Sequence, residues 1–309
     1  MTQLPTQSEA KVARKTNGVA LTHKANPSKR LKHQAWDLYR QATDLVTGRE
    51  RDLPTFIICG GMRCGTTALF SYLAHHPELL ASRKKEVHYF DLEYHRGLNW
   101  YKRQFPTNQT MPKGKARLLF ESSPYYMFEP RAPKRIKDTL PDIKLIFILR
   151  DPIKRAISQY QKNIRDGREL LPLADALAAE EHRLEAEQDK LLANTNYHSQ
   201  LHQHFSYKAR GQYSKLLYRY YQNFSRNQVL AIRANSLFSK PIEVLHRLCT
   251  FIGIQQWSPE HFPVINQSQI KTSLDSALRQ KLEQEFEPYE QELEQLIGWR
   301  SADWPRMTY

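Results

Sequence analysis

The chain alternates short, continuously apolar runs with longer segments of helical spacing. "PTFIICGG" is a β-branched run ending in two glycines, and "TTALFSYLAHHP" after it reads as a helix stopped by Pro77. "ARLLFESSPYYM" and "QVLAIRANSL" supply two more short strands. Residues 143–150, "IKLIFILR", are apolar almost throughout, as a central parallel strand covered on both faces requires. In the following "RDPIKRAISQYQ", Pro152 can open a helix that carries Ser158 on its second or third turn. "RLKHQAWDLYRQATDLV" has helical spacing. Residues 170–190 read as one charged amphipathic helix, and the stretch from 194 to 224 continues helically. Strands alternating with helices predict an α/β fold with a central, mostly parallel sheet flanked by helices. Ligands of such sheets sit beyond the carboxyl ends of the strands, where Arg63 and Arg150 both fall.

Composition narrows the possibilities. The chain has 309 residues, 40% hydrophobic and 11% aromatic, enough to bury a full core. Its net charge is +14 and its pI about 9.6. Lys11, Arg14, Lys15, Lys24, Lys29, Arg30 and Lys32 face only Glu9, which predicts a flexible basic arm over residues 1–34 ahead of one domain over 35–309. No helix-turn-helix, zinc spacing or aromatic RNA-binding signature accompanies the charge, so a small polyanion is favoured over nucleic acid. No run approaches the ~18 apolar residues of a membrane span, and the N-terminus lacks the apolar core of a signal peptide. Cys59, Cys64 and Cys249 have no framework spacing. These features predict a cytoplasmic, reducing location with no membrane partner. His198, His202 and His204 include an i, i+4 pair, but no carboxylate or cysteine stands at matching spacing. A polar helix lining a pocket is expected there, and no metal.

The sharpest chemical signal is the loop "GGMRCGTT". Gly60, Gly65, Thr66 and Thr67 keep the spacing of a phosphate-binding G-x-x-x-x-G-K-[ST] loop, with strand before and helix after. Thr66 stands where the lysine belongs, and a basic residue appears three places earlier as Arg63. No strand ends in an obvious acidic magnesium ligand. A loop that grips phosphate without that machinery suggests a nucleotide that is not being hydrolysed, although a plain strand–turn–helix corner also fits the pattern.

In several segments the chain resembles the sulfotransferases that use 3′-phosphoadenosine-5′-phosphosulfate (PAPS), especially the branch containing heparan sulfate sulfotransferases and bacterial small-molecule relatives. "GGMRCGTTALFSYLAHHP" is similar to that family's 5′-phosphosulfate loop, "KKEVHYFDLEYHRGLNWY" to its Glu-x-His-Phe-Phe-Asp segment, and "KLIFILRDPIKRAISQY" to its 3′-phosphate motif. "RGQYSKLL", "LCTFIGI" and "IGWRSADW" follow in order, so the likeness covers roughly residues 54–305. The resemblance implies a P-loop-like sulfotransferase fold. It implies that Arg63, Cys64, Gly65, Thr66 and Thr67 hold the 5′-phosphosulfate, and that Arg150 and Ser158 hold the 3′-phosphate. Gln267 and Ser268 would close over that side. Glu86 would be the general base, His88 would orient it or the acceptor, and Arg63 would stabilise charge on the bridging oxygen. PAPS would be the donor, 3′,5′-ADP the product, and no metal would be needed.

Two positions depart from the family. Most members carry lysine at Arg63, and arginine is bulkier and forked. The heparan branch also carries, in its Glu-Lys-Thr-Pro segment, a lysine that touches an anionic sugar, and Ser122 of "ESSPYY" replaces it. A small hydroxylated or amino-bearing metabolite is therefore the expected acceptor, a guanidinium alkaloid toxin being one specific case. Residues 164–210 are the expected acceptor lid. Lys84 and Lys85 would push Glu86 down in pKa and burial would push it up. Tyr213 and "LYRYYQNF" are expected in the core. The rival readings are a P-loop small-molecule kinase, which requires magnesium and ATP, and a non-catalytic polyanion-binding protein.

Overall fold

The computed structural model of the protein describes residues 51–107, 117–262 and 274–299. The basic arm, the helix predicted after it, and Gln267 and Ser268 lie outside the described residues. In chain order, β1 (Phe56–Gly60) leads through the glycine-rich loop to α1 (Thr66–Leu73), and β2 (Leu79–Ala81), α2 (Gly97–Lys102), β3 (Leu118–Ser122) and α3 (Ala132–Thr139) follow. Next come β4 (Lys144–Leu149) and α4 (Pro152–Arg165), then α5 (Leu173–Ala178), α6 (Glu180–Leu184), α7 (Glu187–Ala193), α8 (Gln200–His204) and α9 (Tyr213–Tyr221). The chain closes with β5 (Val229–Arg233), α10 (Ala234–Ser239), α11 (Pro241–Ile252) and α12 (Ser276–Ile297).

All strand pairings are parallel, in the order β2-β3-β1-β4-β5. The four longer strands are those the apolar runs predict. Three-residue β2 is too short to show a period. Alternate residues explain why the runs are continuous. Phe56, Ile58, Phe120, Ile146, Ile148 and Ile232 pack against Leu69 and Leu73 of α1 and Leu245 and Leu248 of α11. Ile57, Cys59, Leu119, Leu145 and Phe147 face the opposite layer with Phe90, Tyr101, Tyr126, Leu217 and Tyr220. With both faces covered, strand interiors are apolar, and polar residues enter only toward the strand ends, as Glu121 and Ser122 do in β3. After β1 the chain goes to the edge at β2 and returns inward to β3, then crosses to the other side for β4 and β5. The crevice at the carboxyl ends of β1 and β4 is thus a topological switch point. The β1–β4 register shifts between Ile58 and Gly60, where the loop begins.

One element differs from expectation. The single amphipathic helix over 170–190 is three short helices, α5, α6 and α7, with a break at extended Glu185 and left-handed Ala186. Tertiary bonds outweigh helical propensity here. Buried Glu180 accepts the amides of Lys208 and Ala209, and Glu187 pairs with Lys190 and accepts the Tyr197 hydroxyl. The continuation to residue 224 is likewise divided, into α8 and α9 joined by a strap over 205–212.

Candidate active site

The loop after β1 is anchored on the sheet by Gly61 N–H donating to the carbonyl of Ile148 (2.6 Å), and tightened by Cys64 N–H donating to Gly61 (3.2 Å). Gly65 caps α1 at φ 103°, a conformation that L side chains rarely adopt, and an added Cβ would sit 3.0 Å from Phe238 Cζ. The intrahelical ladder begins only with Leu69 N–H to Gly65, so the first amides of α1 point out of the helix, as an anion site needs. Thr66 is buried, Thr67 half-buried, and Cys64 fully buried with Sγ 3.7 Å from the Tyr213 hydroxyl. Burial pushes the Cys64 thiol up, so it behaves as a packed residue.

Arg150 leaves the end of β4 beside this loop. Asp151 caps α4 by accepting Lys154 N–H at 2.8 Å, and Pro152 occupies the first turn, which sets Ser158 on the helix face toward the loop. Arg63 Nε donates to Ser158 Oγ at 3.1 Å, and Arg150 donates to the Arg63 carbonyl at 3.3 Å. Three residues far apart in sequence are thereby joined. Tyr213, in the core as expected, also donates to the Arg150 carbonyl at 2.8 Å and fixes the strand end. Neither Arg63 nor Arg150 has a carboxylate partner among the described residues. Burial lowers the Arg63 pKa, and the neighbouring charges of Arg165 and Arg150 lower it further.

One strand away, Glu86 and His88 lie on a loop tied to the end of β3. Glu86 N–H donates to Ser122 (2.9 Å) and His88 N–H to Ser123 Oγ (3.1 Å), while Ser123 N–H donates to Ile58 of β1. His88 stands between two carboxylates, Nδ1 2.8 Å from Asp91 and Nε2 3.5 Å from Glu86. Lys85 Nζ lies 2.7 Å from Glu86. Both influences expected on Glu86 are present, and lowering wins. Burial raises its pKa, but the His88 hydrogen bond and the Lys85 ammonium bring it down to about 2. Burial also opposes the charged form of His88, yet Asp91 and Glu86 hold it up at about 10. The result is a carboxylate–imidazolium–carboxylate chain. Arg63 (φ 68°), Glu86 (φ 61°) and His88 (φ 60°) are three of the four non-glycine residues with positive φ among those described. Such conformations cluster at functional sites, where the surroundings over-determine them.

Residues that the sequence did not single out complete this half. Buried Asp91 orients the ring of His88, and its spacing of three from His88 in "HYFD" was the available signal. Beneath it, fully buried Glu121 accepts the hydroxyls of Tyr101 (2.6 Å), Ser123 (2.7 Å) and Tyr126 (3.2 Å); burial outweighs these bonds and lifts its pKa to about 7. Of the three histidines, His198 is exposed and His204 half-buried, but His202 is not. It is buried, stacked on Phe128 (4.1 Å between centroids) with Nδ1 2.8 Å from the Tyr125 hydroxyl, and burial pushes it down to about 2.

A parallel sheet with a glycine-rich loop and two neighbouring guanidiniums at its switch point is an α/β architecture suited to an anionic ligand. The family model described as "Sulfotransferase domain" matches residues 53–290, and the chain belongs to the sulfotransferase family. It is 32% identical over 206 residues to heparan sulfate glucosamine 3-O-sulfotransferase 3B1 of Mus musculus, covering 67% of this chain and 47% of that protein. It is 39% identical over 120 residues to membrane-associated sulfotransferase kil1 of Dictyostelium discoideum, covering 39% of this chain and 25% of that one. The chain therefore spans less than half the length of these curated relatives. Among solved structures, a sulfotransferase from Alicyclobacillus acidocaldarius superposes with a TM-score of 0.65 at 29% identity, over 82% of this chain and all of that one. No helix among the described residues is long and apolar enough to cross a membrane.

Proposed function

We propose that the chain transfers a sulfuryl group from PAPS to a hydroxyl, or less readily an amine, of a small-molecule acceptor. The observation that carries this reading is the convergence of Arg63, Arg150 and Ser158 on the glycine-rich loop, with no carboxylate among the described residues pairing with either arginine. Two anionic groups, the 5′-phosphosulfate and the 3′-phosphate, match that surplus of donors and charge. Amides and side chains of Cys64, Gly65, Thr66 and Thr67 would hold the former; Arg150 and Ser158 would hold the latter, with Gln267 and Ser268 closing over it.

The acceptor oxygen forms a bond to sulfur as the bond between sulfur and the 5′-phosphate oxygen breaks, the proton passes to Glu86, and 3′,5′-ADP leaves. Positioning and stabilisation of the leaving oxygen do most of the work in such transfers. Arg63 rests on Ser158, so it must swing from the 3′-phosphate side to reach the bridging oxygen. A carboxylate held at about 2 is a weak base. Its His88 contact is the longer one at 3.5 Å, and an acceptor hydroxyl entering between the two would remove one of the interactions that lower it.

Ser122 supports a small acceptor over an anionic polysaccharide. It is fully buried, so this position offers no cation to a sulfated sugar. Residues 164–210 would form the lid, which Arg131 ties down by donating to the carbonyls of Asn194 and Thr195. The test is a release assay for 3′,5′-ADP with PAPS and a panel of hydroxylated, amino and guanidinium metabolites, alongside heparan oligosaccharides. Turnover with metabolites, reduced about 10²- to 10⁴-fold in Glu86→Gln with donor binding intact, is expected. Turnover on oligosaccharides alone, or an unaffected Glu86→Gln, contradicts the reading.

A further inference from the structure

Two more arginines lie under the donor loop, and neither is accounted for by the site above. Arg155 of α4 is fully buried; one terminal nitrogen donates to the Tyr207 carbonyl, while Nε and the other terminal nitrogen have no partner. Arg210, on the strap between α8 and α9, is 4% exposed. It donates to the carbonyls of His202 (3.2 Å) and Gln203 (2.7 Å) and touches Met62 Sδ of the loop at 3.1 Å. Its guanidinium lies over the rings of Tyr125 (5.0 Å) and Phe128 (4.8 Å), and its Nε has no partner.

Neither arginine pairs with a carboxylate among the described residues. The buried acid whose charge acts on both is Glu180, but its oxygens are turned to the backbone amides of Lys208 (2.6 Å) and Ala209 (2.9 Å). Burial lowers the pKa of each guanidinium, and each also lies within reach of another positive charge. Arg210, brought to about 10, remains charged at neutral pH. A buried charge without a counter-ion is strongly destabilising by itself. Here it occurs twice, in contact with or behind the loop, while both side chains grip carbonyls of the same short segment, 202–207.

Resting on the donor reading above, we propose that Arg155 and Arg210 are positioning residues for the donor: their charge is left open for the phosphosulfate across the loop, and their carbonyl bonds fix the strap to that loop. They do not touch the reacting atoms. They supply a preorganised positive field and join the donor loop to the end of the acceptor lid.

The test measures 3′,5′-ADP binding by calorimetry, with thermal unfolding of the unliganded protein, for Arg155→Met, Arg155→Lys, Arg210→Met and Arg210→Lys. The methionine variants should bind about tenfold more weakly or worse, as expected when a full charge is removed from a buried, weakly screened site. The lysine variants keep the charge but lose the forked carbonyl contacts, so they should lose clearly less affinity than the methionine variants. A merely structural role gives the opposite split: lower melting temperature with unchanged affinity in folded methionine variants. That result, or lysine variants as weak as methionine ones, overturns the proposal. Each site is scored by its own lysine–methionine pair, and where a methionine variant does not fold, Arg155→Gln or Arg210→Gln takes its place as the uncharged member of the pair. A wild-type protein that binds no 3′,5′-ADP overturns the donor reading itself, which is a separate and recognisable outcome.

Discussion

Arg63, Glu86 and His88 each hold a left-handed backbone that costs of order 1–3 kcal/mol in a non-glycine residue. The compensation is visible for His88. Its amide is tied to Ser123, its carbonyl accepts the amides of Leu92 and Glu93, and its ring bonds Asp91. Because its folded pKa is raised to about 10, its pairing contributes stability that is complete below about 6.5 and is lost as pH rises through about 10. Asp91→Asn should therefore lower the melting temperature between pH 6 and 8, with the gap to wild type narrowing near pH 10. The alkaline limb of the activity profile should move down toward the ordinary histidine range. A limb that stays in place would show that the charge of His88 plays no part in turnover. At this scale the sequence was only partly legible. Glu86 and His88 stand out through a family likeness; "RKKEVH" alone reads as a solvated charged run. Glu121 and Arg155 give no such signal, because burial of a charged residue is a property of its tertiary surroundings.

The strands were readable because both faces of the sheet are covered, which gives each an apolar run with polar residues only toward its ends. Pro152 marked the start of α4 equally well. The lid was not readable as elements. Its helices are short and broken where acidic side chains bond backbone or side-chain groups many residues away, and helical periodicity carries no trace of such bonds. The strap over 205–212 also depends on close packing. A Cβ added at Gly211 would lie 2.8 Å from Phe286 Cε1 and 2.9 Å from Pro152 Cβ, wedging the strap away from α4 and α12. Gly211→Ala should destabilise the fold by about 1–3 kcal/mol. It should also weaken 3′,5′-ADP binding, because Arg210 is its neighbour. Unchanged stability in thermal unfolding would mean the strap yields freely.

Across the whole molecule the charge of +14 has two components. One is spread over the surface and the N-terminal segment. The other is concentrated at the switch point as guanidiniums that pair with no carboxylate among the described residues, in an enzyme family whose donor would carry both a phosphosulfate and a second phosphate. Composition alone could indicate a polyanion ligand, and the strand ends already put Arg63 and Arg150 at one edge; the fold adds the contact that brings Ser158 to them. Binding through such a site should weaken as ionic strength rises, less steeply than for an exposed patch because the groups are partly buried. The most direct measurement is calorimetric binding of 3′,5′-ADP, 5′-AMP and magnesium ATP to the wild type and to Arg150→Ala. Tight, metal-independent binding of 3′,5′-ADP, preferred over 5′-AMP and lost in Arg150→Ala, is expected. A preference for magnesium ATP, or equal binding of 5′-AMP and 3′,5′-ADP, would contradict a 3′-phosphate site at Arg150 and with it the assignment of the donor.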